Sequence, residues 1–218
     1  MYKDSSEDKI VADNFANGLL PAQKGRFKKQ IEFILEVDKL KLTMRETILT
    51  DRSRRENSAE HSWHITLLVL VLSEYAKEKD LDFFRVVKML LIHDLIEIDA
   101  GDTYCYDKRG RKDQAQRERK AADRIFNILP SDQAVLFREL WDEFEAGKTP
   151  ESRFANALDR FQPFLFNYFT EGQTWKKNNV DSSQVIDRMQ PVESGSLLLW
   201  NYIADLIDDA VSKGYLSK

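Results

Sequence analysis

Apolar residues recur at three- and four-residue steps along nearly the whole chain, and no segment alternates convincingly with a period of two. The pattern predicts an all-α protein. Phe27, Ile31, Ile34 and Leu35 form one stripe, giving a helix from about Arg26 to Lys39. The stretch from Leu42 to Asn57 is highly charged and reads as a connecting loop, after which Ser58 is placed to cap a helix bearing Ile65, Leu68, Val69 and Leu72. Asp82 is placed to cap the next helix, with Val86, Val87, Leu90 and Leu91 on its apolar face and Gly101 as its stop. A polar loop, 102–112, with the composition of a lid, leads into an amphipathic helix from Asp113 to Leu129. Another helix runs from Ser131 to Gly147, and a third opens at Thr149-Pro150 with proline in the first turn. After a polar loop from Gly172 to Asn179, a short helix and a final one (about Ser196 to Ser212) close the pattern. The first ~20 residues read as loosely held.

Composition narrows the class. Among 218 residues, 42% are hydrophobic, enough for one large globular domain with a substantial core. No repeat or linker divides the chain, so 1–218 reads as one domain, with a core of about 24–170 and a helical extension of about 181–213. The net charge of -4 gives no reason to expect a nucleic-acid polymer as partner. Local arginines and lysines (Arg52, Arg54, Arg55, Lys108, Arg109, Arg111, Lys112) could attract a small anionic substrate, although Arg54 and Arg55 read better as a solvated charge run. One cysteine, Cys105, suits a reducing cytosol. With no signal-peptide core and no apolar run long enough for a membrane, the expectation is a soluble, cytoplasmic protein.

The chemistry concentrates where the apolar run Leu90-Leu91-Ile92 meets His93-Asp94, with further acids at 97, 99 and 102. Buried charge is costly unless paired or metal-bound, so this looks like part of a cation site. Imidazole beside carboxylate suits Mn, Co, Fe, Ni or Zn better than calcium. All three histidines, His61, His64 and His93, lie on the two helices beginning near 58 and 82. Asp159 sits in one of the most apolar helices, four residues before Pro163, which lacks the N–H that would bond the Asp159 carbonyl. A core helix offering a carboxylate inward is a reasonable source of a further ligand.

The ordered motifs Glu60-His61-Ser62, His93-Asp94-x-x-Glu97-x-x-x-Gly101-Asp102 and Ala157-Leu158-Asp159-Arg160 resemble the HD-domain metal-dependent phosphohydrolases. The likeness is to the branch holding the bacterial 5′-deoxynucleotidases and related small hydrolases, over roughly Lys24 to Asn167. It implies a helical bundle with one divalent ion (Mn, Co, Fe, Ni, Zn or Mg) held between helices by His61, His93, Asp94 and Asp159. It further implies Glu97 beside the reacting phosphate as general acid/base or water-orienting group. Position 97 lies one turn after His93, on the same face, which agrees independently. Asp102 corresponds to an acid that contacts the sugar or orients water, and Arg45 to a phosphate-binding arginine. Glu46 departs from the pattern, because relatives carry an aromatic residue there. His64 is assigned to phosphate or to a nearby water, with a structural role as the alternative, and Glu60 to support of the ligand helix. Cys105 reads as incidental.

The function implied is hydrolysis of nucleoside 5′-monophosphates, ribo or deoxy, by a homodimer acting on a small phosphorylated substrate. The alternatives kept open are a phosphodiesterase, a triphosphate or alarmone hydrolase, and a catalytically silent metal-binding protein.

Overall fold

The computed structural model describes residues 25–218. The N-terminal segment read as loosely held lies outside the described residues, apart from its boundary at Gly25. Helix α1 (Arg26–Val37) passes into a 3-10 turn, Asp38–Leu42. The following segment corrects the sequence reading. Instead of a loop, Met44–Ile48 (β1) and Arg55–Asn57 (β2) pair antiparallel as a small hairpin, with Met44 opposite Asn57. Strand periodicity is hard to see in three to five residues dense with charge, yet it has a consequence: Glu56 points inward, 1% exposed, between exposed Arg55 and half-buried Asn57. Arg54 and Arg55 are not a free charge run either. Arg54 forks onto Glu60 (2.6 and 2.8 Å), and Arg55 meets Glu46 at 2.7 Å.

Helix α2 (Ser58–Leu72) is capped one residue earlier than expected. Asn57 is the cap, accepting from the Glu60 N–H, while the Glu60 side chain accepts from the Asn57 N–H. This reciprocal box fixes the helix entry directly before His61. Asp82 caps α3 (Phe83–Ile92) as its sequence suggested, accepting from the Arg85 N–H. At His93 the helix tightens into a 3-10 turn, His93–Ile96, and resumes as the short α4 (Glu97–Ala100), ending at Gly101 with φ 73°. That left-handed backbone is costly for any residue with a Cβ.

Beyond the 102–112 segment come α5 (Gln114–Phe126), α6 (Ser131–Ala146) and α7 (Pro150–Phe169). Thr149 and Ser152 cap α7 reciprocally, and the helix runs on through Pro163. The stretch expected to be a polar loop at 172–179 contains a short helix, α8 (Gln173–Lys177), whose Trp175 is buried. Then follow α9 (Ser182–Met189) and α10 (Leu197–Ser212).

One hydrophobic cluster extends from Phe33 in α1 to Leu216 after α10, with Phe154, Leu158 and Ile203 fully buried. The C-terminal elements are drawn tightly against α7. A Cβ on Gly195 would stand 2.4 Å from the Arg153 carbonyl oxygen, so only glycine allows this approach. Ser196 Oγ donates to the Tyr75 carbonyl, tying the same turn to the end of α2. Among the described residues no helix is long and apolar enough to cross a membrane.

Candidate metal centre and active-site cavity

Three elements bring the expected ligand residues together: His61 from α2, His93 and Asp94 from the 3-10 turn after α3, and Asp159 from α7. One ligand atom from each of His61, His93 and Asp94 falls within 4.8 Å of the others. Asp159 Oδ1 lies 3.0 Å from His61 Nε2 and 3.7 Å from His93 Nε2, while Asp94 Oδ1 lies 3.0 Å from His93 Nε2.

The outer face of each imidazole decides what its inner face can do. His93 Nδ1 donates to the Leu90 carbonyl at 2.9 Å. His61 Nδ1 donates to Gln162 Oε1 at 2.9 Å, and Gln162 Nε2 in turn donates to Glu56 Oε1 at 2.6 Å. With both protons fixed on Nδ1, both Nε2 lone pairs point at carboxylate oxygens. His93 Nε2 is buried without a hydrogen-bond partner. Ring nitrogens and carboxylate oxygens gathered this closely call for positive charge among them, a proton on His93 or a divalent cation in its place, and imidazole with carboxylate suits a borderline metal. His61, His93 and Asp94 are therefore positioned to bind a metal ion.

The local fields agree. Burial pulls the His93 imidazole down, but Asp94 and Asp159 outweigh it and push it up to about 9, showing how strongly this corner attracts positive charge. Burial also raises the Asp159 carboxyl, and the two histidines overcome that, holding it well below its usual range. At His61, burial and then Arg45 pull the imidazole down, which favours the neutral, ligating form.

Arg45, from β1, reaches the same corner. Its Nη1 donates to Asp94 Oδ2 at 2.7 Å, and its Nε faces Glu56 Oε2 at 3.9 Å. Burial opposes its charge, but Asp94, Glu97, Asp102 and Asp159 more than compensate. Glu97 is buried and accepts from Ser58 Oγ at 2.6 Å. Desolvation and then Asp94 push its carboxyl well above the usual value. Desolvation likewise raises Asp102, against the pull of Arg45.

These groups floor a cavity of about 440 Å³. Arg45, His93, Asp94, Glu97, Asp102 and Asp159 all line it. Its far wall comes from segments without a recognised motif: Tyr104 and Cys105, Trp175 of α8, and Arg188 and Met189 of α9. Burial pushes the Cys105 thiol up, so it stays neutral, in keeping with an incidental role. His64 does not line the cavity. Its Nδ1 stands 3.3 Å from Gln162 Nε2, and its ring packs on Trp63 and Phe166, contacts that agree with the structural alternative.

Sequence reasoning missed Glu56 and Gln162. Gln162 was detectable in principle, because it sits three residues after Asp159 on one face of an apolar helix. Glu56 left no comparable signal.

Fold and site together define a helical protein built around a buried His–His–Asp metal corner that opens into a small-molecule cavity. A family profile described as HD domain matches residues 37–200. The chain belongs to the HD-domain family. It is also similar to a crystal structure described as a predicted metal-dependent phosphohydrolase from Magnetospirillum magnetotacticum MS-1. That likeness has 48% identity and a TM-score of 0.86 over 92% of this chain and all of the other. A 5′-deoxynucleotidase HDDC2 of Homo sapiens is 27% identical over 136 residues, covering 62% of this chain and 65% of the human protein. The PH0347 protein of Pyrococcus horikoshii OT3 shares the fold, with a TM-score of 0.56 and 22% identity over 84% of this chain and 99% of the other.

Proposed function

We propose that the protein is a metal-dependent phosphomonoesterase hydrolysing nucleoside 5′-monophosphates to nucleoside and phosphate. The observation that carries this reading is the meeting of the metal corner with Arg45, Glu97 and Asp102 at one cavity floor. A structural ion needs ligands alone, whereas these additional groups match the demands of phosphoryl transfer. The likeness to the human deoxynucleotidase and the bacterial phosphohydrolase supports the same reaction class.

His61, His93, Asp94 and Asp159 would hold the ion. When bound, a divalent cation supplies Lewis acidity toward a phosphoryl oxygen and toward water. Arg45 binds the phosphate and offsets its charge through a planar donor fork. Asp94 anchors that fork from one side, so the arginine is oriented before substrate arrives. Glu97, fixed by Ser58 and made more basic by its buried setting, is suited to take a proton from the attacking water. Asp102, also raised, orients that water or the sugar. Water adds to phosphorus, the P–O5′ bond breaks, and the nucleoside oxygen leaves with a proton. Glu46 is engaged by Arg55 and Lys177 (2.7 and 2.8 Å) and replaces an aromatic wall with a charged one, so deoxyribose selectivity is relaxed in this reading.

The reading includes a cytoplasmic setting and a homodimer, the latter supported by the exposed apolar stripe Trp63, Leu67 and Leu70 on α2. The test is phosphate release from ribo- and deoxyribonucleoside 5′-monophosphates. Metal-stripped protein would be resupplied with Mn, Co, Mg or Zn, with Asp94→Ala as control. Metal-dependent release absent from the variant is expected. Silence across the panel, with phosphodiesters, triphosphates or alarmones cleaved instead, would replace this reading.

A further inference from the structure

Arg45 enters the cavity already matched by carboxylates, whereas Arg160 and Arg188 enter it unmatched. Arg160 follows Asp159 on α7. Its Nη1 donates to the Asn156 backbone and side-chain oxygens at 3.3 and 3.1 Å, and its Nε is buried with no hydrogen-bond partner. Arg188, from the last turn of α9, makes no hydrogen bond or ion pair among the described residues, and no carboxylate oxygen lies within 4.0 Å of Arg160 either. Both guanidiniums line the same cavity. Arg26, Arg52, Arg54, Arg85, Arg124 and Arg138, by contrast, each sit against a carboxylate, and Arg111, which also lines the cavity, bonds the Cys105 carbonyl instead.

Two like charges lining one partly desolvated cavity, with no carboxylate in contact and only the more distant Asp159 and Glu145 offsetting Arg160, favour the arrival of something anionic. Arginine's planar fork suits phosphate and carboxylate alike. The cavity's ~440 Å³ is within the range of small-molecule pockets and leaves room for a ligand that spans floor and far wall. We propose that Arg160 and Arg188 form a second anion subsite, so that the preferred substrate is a nucleotide carrying a further phosphate or carboxylate besides the phosphate hydrolysed at the metal corner. The proposal rests on the nucleotide-hydrolase reading for its chemistry. The P–O5′ bond is hydrolysed as before, and the second anionic group leaves unchanged on the product.

The test compares a nucleoside 5′-monophosphate, its 3′,5′-bisphosphate and orotidine 5′-monophosphate as substrates of the metal-loaded wild type, Arg188→Ala and Arg188→Lys. The expected result is a kcat/KM for the bisphosphate or the orotidylate about tenfold or more above that for the plain monophosphate. That preference should fall to near unity in Arg188→Ala and be partly kept in Arg188→Lys, because charge rather than shape is at issue. Which of the two substrates gains identifies the second anion as phosphate or carboxylate. Equal slowing of all three substrates by Arg188→Ala, or no preference in the wild type, would overturn the subsite. Calorimetric binding of a nucleoside 3′-monophosphate and of orotidine to metal-stripped protein separates the two readings. Binding lost in Arg188→Ala without any turnover would keep the subsite and discard the nucleotidase, whereas turnover indifferent to the second anion would do the reverse.

Discussion

Arg45 stands against Asp94 at 2.7 Å and feels Glu97, Asp102 and Asp159 around it, while across the same cavity Arg160 and Arg188 meet no carboxylate. The two walls are built differently. At the metal corner both imidazoles are held by a partner behind them, Gln162 and Glu56 behind His61 and the Leu90 carbonyl behind His93, and Arg45 holds Asp94. Arg160 and Arg188 present charge with no carboxylate in contact. The difference teaches that charge satisfied inside the fold orients groups for chemistry, whereas charge left unsatisfied in a cavity calls for a ligand.

Asp94→Ala should damage the metal corner most completely. It removes a metal ligand and leaves buried Arg45 without its closest partner, so metal retention and phosphate release should both be lost. Unpairing of this kind typically costs about 3–5 kcal/mol, measurable by denaturant titration alongside metal analysis. Gln162→Leu should be milder. It frees the His61 ring to adopt either tautomer, and loss of such an orienting group lowers metal affinity by about 10- to 100-fold, read by competition with a chelator. The same change should leave the preference created by Arg188 intact, which keeps the two walls separable.

How far the sequence revealed these walls follows from what each residue type does. His61, His93, Asp94 and Asp159 were legible because imidazole and carboxylate inside apolar helices are costly without a purpose. Their order then matched a known pattern. Glu97 was legible from the family resemblance, with which its one-turn spacing after His93 agrees. Glu56 was not, because it lies in a charged stretch whose hairpin is too short to display an alternating pattern. Arg160 and Arg188 were hidden for another reason: only the three-dimensional fold shows that both line one cavity and that neither has a carboxylate in contact. The Ser58 cap was misplaced by one residue, since Asn57 and Ser58 are both good caps and only the box with Glu60 distinguishes them.

Smaller effects should fall outside both walls. Asn57→Ala removes the cap of α2 and should cost about 1 kcal/mol in thermal or denaturant unfolding. It should also weaken metal binding less than Gln162→Leu, since His61 stays in place. Away from the cavity, burial raises the Glu143 carboxyl, but hydrogen bonds from Arg85 and Thr149 outweigh it and hold the group below its ordinary 4.5. A depressed carboxyl contributes stability that is present above 4.5 and lost as pH falls through its folded value. Metal-free wild type should therefore lose its stability advantage over Glu143→Gln on acidification below that point, by no more than about 1 kcal/mol.

The account stands on one ion at the His–His–Asp corner being required for hydrolysis at the adjoining cavity floor. The decisive experiment titrates Mn or Co into metal-stripped protein while recording bound metal and phosphate release from a nucleoside 5′-monophosphate together. The account predicts that turnover rises in step with occupancy and levels off at one ion per chain. Turnover that ignores the metal, or full occupancy with no release from any phosphate ester, would contradict it.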